Sequence, residues 1–258
     1  MKRFGLYFLG FVAVAAQCEP SHARAVIQIP SGVYEPFFRE PGEADQRIVS
    51  FWMDKDPVSR KDFARFLQRN PEFGRGKISP RFADSAYLES WTSENVASGD
   101  SDSPVTSISW FVARKYCGEK KGRLPTVSEW EYAADTNSPE AFALISDWYA
   151  RPNSMDQPPP RISSGKLGKF GIRGMHGINW EWVEDFASVI IQGDSRSSNA
   201  TDNQLFCAAG ALSAKDPTQY ANFMRFAFRS SLKANRSVRT LGFRCVYDVD
   251  PERSGPKL

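Results

Sequence analysis

Hydrophobic and polar positions form short patterns along this chain, and no predicted element is long. Apolar and polar residues alternate over Val26–Ile29, as in a half-buried strand, and residues 48–52 form a second apolar strand candidate. Three helices are predicted where a capping residue precedes apolar positions at helical spacing. They begin at Ser59, Ser109 and Thr126. These patterns indicate a mixed α and β protein.

Long irregular stretches separate the predicted elements. Residues 72–104 and 146–169 show no periodicity, so they are predicted to be loops, the first of them a long surface excursion. The 17 prolines and 18 glycines are spread along the whole chain and indicate many turns. Residues 249–258 are mostly polar and are predicted to form a disordered tail.

Length and composition favour one ordinary globular domain, which we place at residues 26–248. The chain has 258 residues, of which 41% are hydrophobic and 24% are charged. The net charge of +3 is small, and no run of lysine and arginine stands out. We therefore expect no nucleic-acid partner.

The N-terminus has the pattern of an export signal, which we place at residues 1–25. Lys2 and Arg3 precede an apolar run over residues 4–16, and small residues suited to a signal peptidase end at Ala25. The apolar run is too short for a comfortable membrane span. We expect cleavage after Ala25 and a periplasmic or secreted mature protein that has no membrane span.

Export would change both the number of cysteines in the mature chain and the redox environment in which they lie. Cleavage removes Cys18 and leaves Cys117, Cys207 and Cys245, an odd number for an oxidising compartment. One disulfide and one free thiol is the simplest arrangement. The sequence alone permits three pairings.

Several motifs, in a fixed order along the chain, resemble those of a known family. They are residues 29–33 (IPSGV), 51–59 (FWMDKDPVS), 104–110 (PVTSISW), 122–134 (GRLPTVSEWEYAA), 175–185 (MHGINWEWVED) and 241–245 (LGFRC). Together they resemble the sulfatase-modifying factors, or formylglycine-generating enzymes. This resemblance implies a single α+β domain of the formylglycine-generating-enzyme type, related to C-type-lectin-like folds, with little regular secondary structure.

The resemblance also assigns the cysteines. It pairs Cys117 with Cys245 and leaves Cys207 free. Formylglycine-generating enzymes oxidise a substrate cysteine with copper(I), which is held by two thiolates because soft sulfur ligands select this ion. Those thiolate positions fall on Asp216 and Ala221 in this chain. Copper is therefore not expected, ordinary formylglycine formation is not predicted, and Cys207 is the remaining candidate for a catalytic residue.

The motif at residues 175–185 also resembles the calcium loop of the family. The ligands implied are the backbone carbonyls of Gly177 and Asn179 and the carboxylate of Glu181, since calcium prefers oxygen donors. The usual side-chain ligand falls on Gly174, which has no side chain. In the alternative, Glu181 pairs with an arginine or caps a turn while the neighbouring tryptophans fill the core.

The substrate-binding positions implied by the resemblance are Trp180, Ser213, Asp216, Arg225 and Arg229. The arginines near the end of the chain are predicted to form ion pairs with Glu181, Glu184 and Asp185. These arginines are Arg225, Arg229, Arg236, Arg239 and Arg244. The alternative is that Arg225 or Arg229 clamps an anionic ligand or a partner peptide over Trp180. His176, the one histidine of the mature chain, is predicted to be packed and hydrogen-bonded.

The sequence leaves open whether the protein is an enzyme. We favour an exported accessory or maturation protein that acts on, or binds, a periplasmic protein or peptide. Its motifs look closest to the NirV-like branch of the family, found beside copper nitrite reductases. The alternatives are an active formylglycine-generating-type oxidase, a periplasmic enzyme that matures a small molecule or peptide, and a lectin-like binding module.

Overall fold

The structure is a computed structural model that describes residues 25–36, 44–92, 99–150, 159–186 and 217–251. For residues 149–150 and 217–223 the structure describes the backbone and not the side chains. The α-helices are α1 (Arg60–Arg69), α2 (Trp110–Glu119), α3 (Val127–Ala133), α4 (Pro139–Ala150) and α5 (Pro217–Ser230). The strands are β1 (Val26–Ile29), β2 (Gly32–Tyr34), β3 (Gln46–Ile48), β4 (Phe51–Asp54), β5 (Trp180–Glu181), β6 (Leu241–Gly242) and β7 (Val246–Tyr247). This α+β architecture is the predicted one.

The described strands form three small sheets. Strand β4 lies between β1 and β7 with antiparallel pairing on both sides, and β2 pairs antiparallel with β3. Strands β5 and β6 pair in parallel, which sets Trp180 opposite Leu241 and Glu181 opposite Gly242. This last pair joins two of the sequence motifs, although they are far apart along the chain.

The three predicted helix starts are confirmed. The hydroxyl of Ser59 accepts a hydrogen bond from the Asp62 amide at the start of α1, and Ser109 caps α2 in the same way. Thr126 and Glu129 form a reciprocal capping box at the start of α3. These starts were predictable because a cap involves only residues within one helical turn.

Two predictions about irregular segments are wrong in part. Residues 72–104 do not form a simple surface excursion, because Leu88 and Trp91 are almost completely buried. Turns place these apolar residues in the core without any periodicity that a sequence pattern could show. The loop predicted to start at residue 146 starts later, since α4 runs to Ala150.

One strand prediction also needs correction. The apolar segment 48–52 is split between β3, which ends at Ile48, and β4, which begins at Phe51. Val49, between them, is 76% exposed. The two strands belong to different sheets, so the chain turns away from one sheet before it enters the other.

A disulfide joins Cys117 on α2 to Cys245, just before β7, across 128 residues. It is the pairing that the family resemblance implied. Both cysteines are completely buried. Within the described part of the chain, no helix combines the length and apolar character needed to cross a membrane.

Candidate functional site

A small pocket opens where strand β5 and the chain after it meet α3 and α5. Half of its lining residues are aromatic, namely Trp130, Trp180, Trp182, Phe186 and Phe228. Its charged lining residues are Glu181, Arg225 and Arg229. The structure thus brings together three predicted substrate-binding residues, Trp180, Arg225 and Arg229.

Trp180 forms one wall of the pocket and is held from several directions. Its backbone N–H donates to the Thr240 carbonyl at 2.7 Å, as part of the pairing between β5 and β6. Its ring stacks on Phe228 of α5, with the ring centroids 4.5 Å apart, and it also contacts Trp148 of α4 at 5.0 Å. Such contacts stabilise aromatic rings beyond the burial of their surface, so they favour this position of the Trp180 ring.

The two arginines of the pocket lining, Arg225 and Arg229, share one buried carboxylate, that of Glu131. Arg225 donates to both carboxylate oxygens of Glu131, at 3.2 and 2.9 Å, and Arg229 donates to the same carboxylate. The side chains of Arg225 and Glu131 are only 4% and 5% exposed. Burial lowers the pKa of Arg229 to about 10, so this guanidinium is still cationic at neutral pH.

Glu131 is a site residue that the sequence analysis did not assign. A signal was present, because Glu131 lies four residues after Val127 and three before Ala134, on the predicted apolar side of α3. A carboxylate in that position is buried with the apolar residues and needs a charged partner. The sequence could not show that α5 supplies it.

Glu181 is bound by an arginine, which is the alternative to calcium binding that the sequence had left open. Arg244 donates to its two carboxylate oxygens at 2.7 and 2.8 Å, and the indole N–H of Trp130 donates to one of them at 2.8 Å. The side chains of both Glu181 and Arg244 are completely buried. Arg244 also donates to three backbone carbonyl oxygens, those of Asp54, Lys55 and Arg173.

This arrangement is a poor fit to calcium at the loop formed by residues 175–185. Both oxygens of Glu181 already accept hydrogen bonds from a cation, so a metal ion there would share the carboxylate with Arg244, and the two positive charges would repel each other. Asn179 does carry one buried side-chain oxygen that has no hydrogen-bond partner among the described residues. Over the same ranges, no three histidine, cysteine, aspartate or glutamate side chains are grouped to hold a metal. Calcium binding stays a prediction from the resemblance.

His176 is packed and hydrogen-bonded, as the sequence analysis predicted. Its Nε2–H donates to the Ala134 carbonyl at 3.0 Å, and its ring meets Trp130 edge to face. Burial lowers its pKa to about 3, with the charge of Arg225 as a second cause. The imidazole is therefore neutral at physiological pH.

The remaining arginines form ion pairs, but with acids other than the predicted ones. Arg236 lies 4.0 Å from Asp84, and Arg239 lies 2.6 Å from Glu89. Of the predicted acids other than Glu181, Glu184 pairs with Arg114, and Asp185 accepts the backbone N–H of Val127. The pairing of Arg244 with Glu181 is thus the one predicted combination that the structure contains among the ion pairs described.

The remaining predicted site residues are not described. Cys207, Ser213 and Asp216 lie outside the described residues, as does the side chain of Ala221. Their roles stay predictions from the resemblance.

Comparison with known proteins identifies the family to which this chain belongs. The sequence pattern of the "Sulfatase-modifying factor enzyme 1-like domain" matches residues 12–249. The chain is 26% identical over 299 aligned residues to the formylglycine-generating enzyme of Bos taurus. That alignment covers 90% of this chain and 77% of that protein. The chain is 28% identical over 174 residues to the formylglycine-generating enzyme of Streptomyces coelicolor. That alignment covers 59% of this chain and 55% of that protein.

Among solved structures, the crystal structure of CarF resembles the structure of this chain with a TM-score of 0.45 and 14% sequence identity. The match covers 88% of this chain and 98% of the CarF chain. The match to the family's sequence pattern spans almost the whole chain. The chain therefore belongs to the family of sulfatase-modifying-factor, or formylglycine-generating-enzyme-like, proteins.

Proposed function

We propose that this protein is an exported accessory or maturation factor that binds or modifies a periplasmic metal-containing oxidoreductase. The observation that carries the proposal is the use of the cysteines. The sequence has four, and the disulfide occupies Cys117 and Cys245. Cys18 lies in the proposed signal peptide, so only Cys207 would remain as a thiol, whereas the copper(I) site of the family needs two.

The chemistry of the pocket supports binding. Its walls are the aromatic faces of Trp180 and Phe228, and its polar groups are guanidinium groups paired with Glu131. Aromatic faces contribute a large apolar contact area, and arginine recognises carboxylates and other anionic groups in a fixed geometry. The pocket is small, so it suits the tip of one partner side chain rather than a whole segment.

The partner class follows from the resemblance to the NirV-like branch. That branch is found beside copper nitrite reductases, so a periplasmic copper enzyme of that kind is the first partner to test. The measurement is the copper content and activity of the reductase after it is produced with the protein, without it, and with an Arg229→Ala variant. We expect a deficit without the protein and with the variant. Equal copper content and activity in all three samples would contradict the proposal.

A second candidate function is that of an active formylglycine-generating-type oxidase. It is favoured by the identity to the Bos taurus and Streptomyces coelicolor enzymes. A titration of the purified protein with copper(I) against a competing chelator, followed by incubation with a sulfatase-type peptide, separates the two functions. We expect no stoichiometric copper binding and no conversion of the peptide cysteine, with Cys207→Ser behaving like the wild type. One-to-one copper binding with conversion would establish the oxidase.

A further inference from the structure

An aromatic and basic surface lies beside the pocket, and no role has been assigned to it so far. Its outermost residue is Phe82, which is 48% exposed. The Phe82 ring meets Phe111 of α2 edge to face at 5.3 Å, and Phe111 meets Trp110 in the same way at 5.4 Å. We call these three rings, together with the neighbouring cations Arg81, Arg114, Lys233 and Arg236, the aromatic-basic patch.

The patch is continuous with the pocket. The ring of Trp110 lies 6.0 Å from that of Phe186, which lines the pocket. The indole N–H of Trp110 donates to the carbonyl of Val183, another lining residue, at 3.0 Å. An unbroken row of aromatic rings therefore leads from the exposed Phe82 to the pocket wall. A molecule seated on the patch would be next to the pocket.

Backbone contacts hold the parts of the patch together. The amide of Trp110 donates to the carbonyl of Ala234 at 3.0 Å, and the amide of Asp84 donates to the carbonyl of Asn235 at 2.9 Å. These bonds fix the segment that carries Lys233 and Arg236 against the start of α2 and the turn that carries Phe82. The surface is therefore built from three segments distant in sequence.

Positive charge dominates the exposed part of the patch. The side chains of Arg114 and Arg236 are 58% and 63% exposed, and Arg114 lies over the ring of Trp110 at 5.1 Å. Arg81 and Lys233 are exposed as well. The nearby acids are Asp84 and Glu184, whose side chains are only 23% and 27% exposed. The four cations thus face solvent more than the two acids do.

We propose that the aromatic-basic patch is a docking surface for an acidic face of a partner protein, which would seat an apolar side chain against Phe82. The inference rests on the proposed function, since it requires that the protein acts on another protein. Exposed aromatic residues and arginine are enriched where proteins bind one another. Complementary charge around an apolar contact speeds association and fixes the orientation of the partner. Docking here would present the neighbouring part of the partner to the pocket at Trp180.

The test uses a labelled acidic polypeptide, a random copolymer of glutamate and tyrosine, and measures its binding to the purified protein by fluorescence anisotropy. We expect Phe82→Asp to weaken binding by at least about tenfold, and the double variant Lys233→Glu with Arg236→Glu to do the same. Raising the salt concentration should weaken binding to the wild-type protein.

Matched control variants separate docking from a general effect of charge. Val33→Asp changes an apolar residue outside the patch that is 64% exposed, and Lys61→Glu with Lys166→Glu makes the same change of net charge at other exposed positions. These controls should bind within about twofold of the wild type. Thermal unfolding of each variant verifies that it is folded.

Three outcomes would overturn the docking surface. They are equal weakening by the control variants, no measurable binding of the copolymer to the wild type, and tighter binding of phosphatidylglycerol vesicles than of the copolymer. The last result would assign the patch to a membrane surface. The reductase copper assay is independent, so patch-specific copolymer binding without any effect on copper content would count against the proposed function alone.

Discussion

Replacing Glu181 with glutamine leaves the volume of the side chain almost unchanged but removes the only carboxylate that faces Arg244 in the described structure. Arg244 is completely buried and would keep its hydrogen bonds to three neutral carbonyl oxygens. Removing one partner of a buried ion pair costs about 3–5 kcal/mol, because the remaining charge has no counter-charge. The carbonyl dipoles offset part of this cost, so we expect Glu181→Gln to lower the free energy of unfolding by about 3 kcal/mol.

A loss of this size is large compared with the total stability of a typical domain, about 5–15 kcal/mol. For a chain of this length it corresponds to a decrease in Tm of roughly 6–12 °C. The assay is urea unfolding at neutral pH with the disulfide intact, followed by tryptophan fluorescence. Glu89→Gln is the matched control, since it removes the partner of Arg239, whose side chain is 61% exposed. Its effect should stay below about 1 kcal/mol.

The double variant Glu181→Gln with Arg244→Met isolates the interaction between the two charges. With both charges removed, the variant should be more stable than the sum of the single effects predicts, by about 2 kcal/mol or more. A cost below about 1 kcal/mol for Glu181→Gln, together with additive effects in the double variant, would refute the reasoning. That result would mean that the three carbonyl groups alone stabilise the buried positive charge of Arg244.

Three further predictions concern other buried groups of the protein. The pKa of His176 falls from 6.5 to about 3 on folding, so stability present above pH 6.5 is lost as the pH decreases, by about 2 kcal/mol near pH 5. In urea titrations at several pH values, His176→Gln should lose this component, and an unchanged pH dependence would contradict it. Glu131→Gln should lower the free energy of unfolding by about 3 kcal/mol, because Arg225 and Arg229 lose their shared carboxylate; a Tm equal to that of the wild type would contradict this. Replacing Cys117 and Cys245 by serine should cost about 5 kcal/mol from loop closure over 128 residues, and a cost below about 1 kcal/mol by urea unfolding would contradict the chain-entropy reasoning.

Local features of this protein could be predicted from the sequence. The caps at Ser59, Ser109 and Thr126 begin helices as expected, and Val26–Ile29 is a strand. Each of these depends on residues within one turn or on a simple alternation, so the relevant interactions are contained in a short window. The order of the family motifs added the fold class and the disulfide.

Only the tertiary structure decided which charged residues meet. Arg225 and Glu131 are 94 residues apart in sequence, and they pair because α3 and α5 both face the pocket. The same holds for the burial of Leu88 and Trp91, which lie in turns without any periodic pattern. A buried ion pair forms only where packing brings two side chains within a few ångströms of each other and excludes water. The sequence determined that charged residues lie among its aromatic residues, and the packing of the helices determined that Arg225 and Arg229, which line the pocket, share the carboxylate of Glu131.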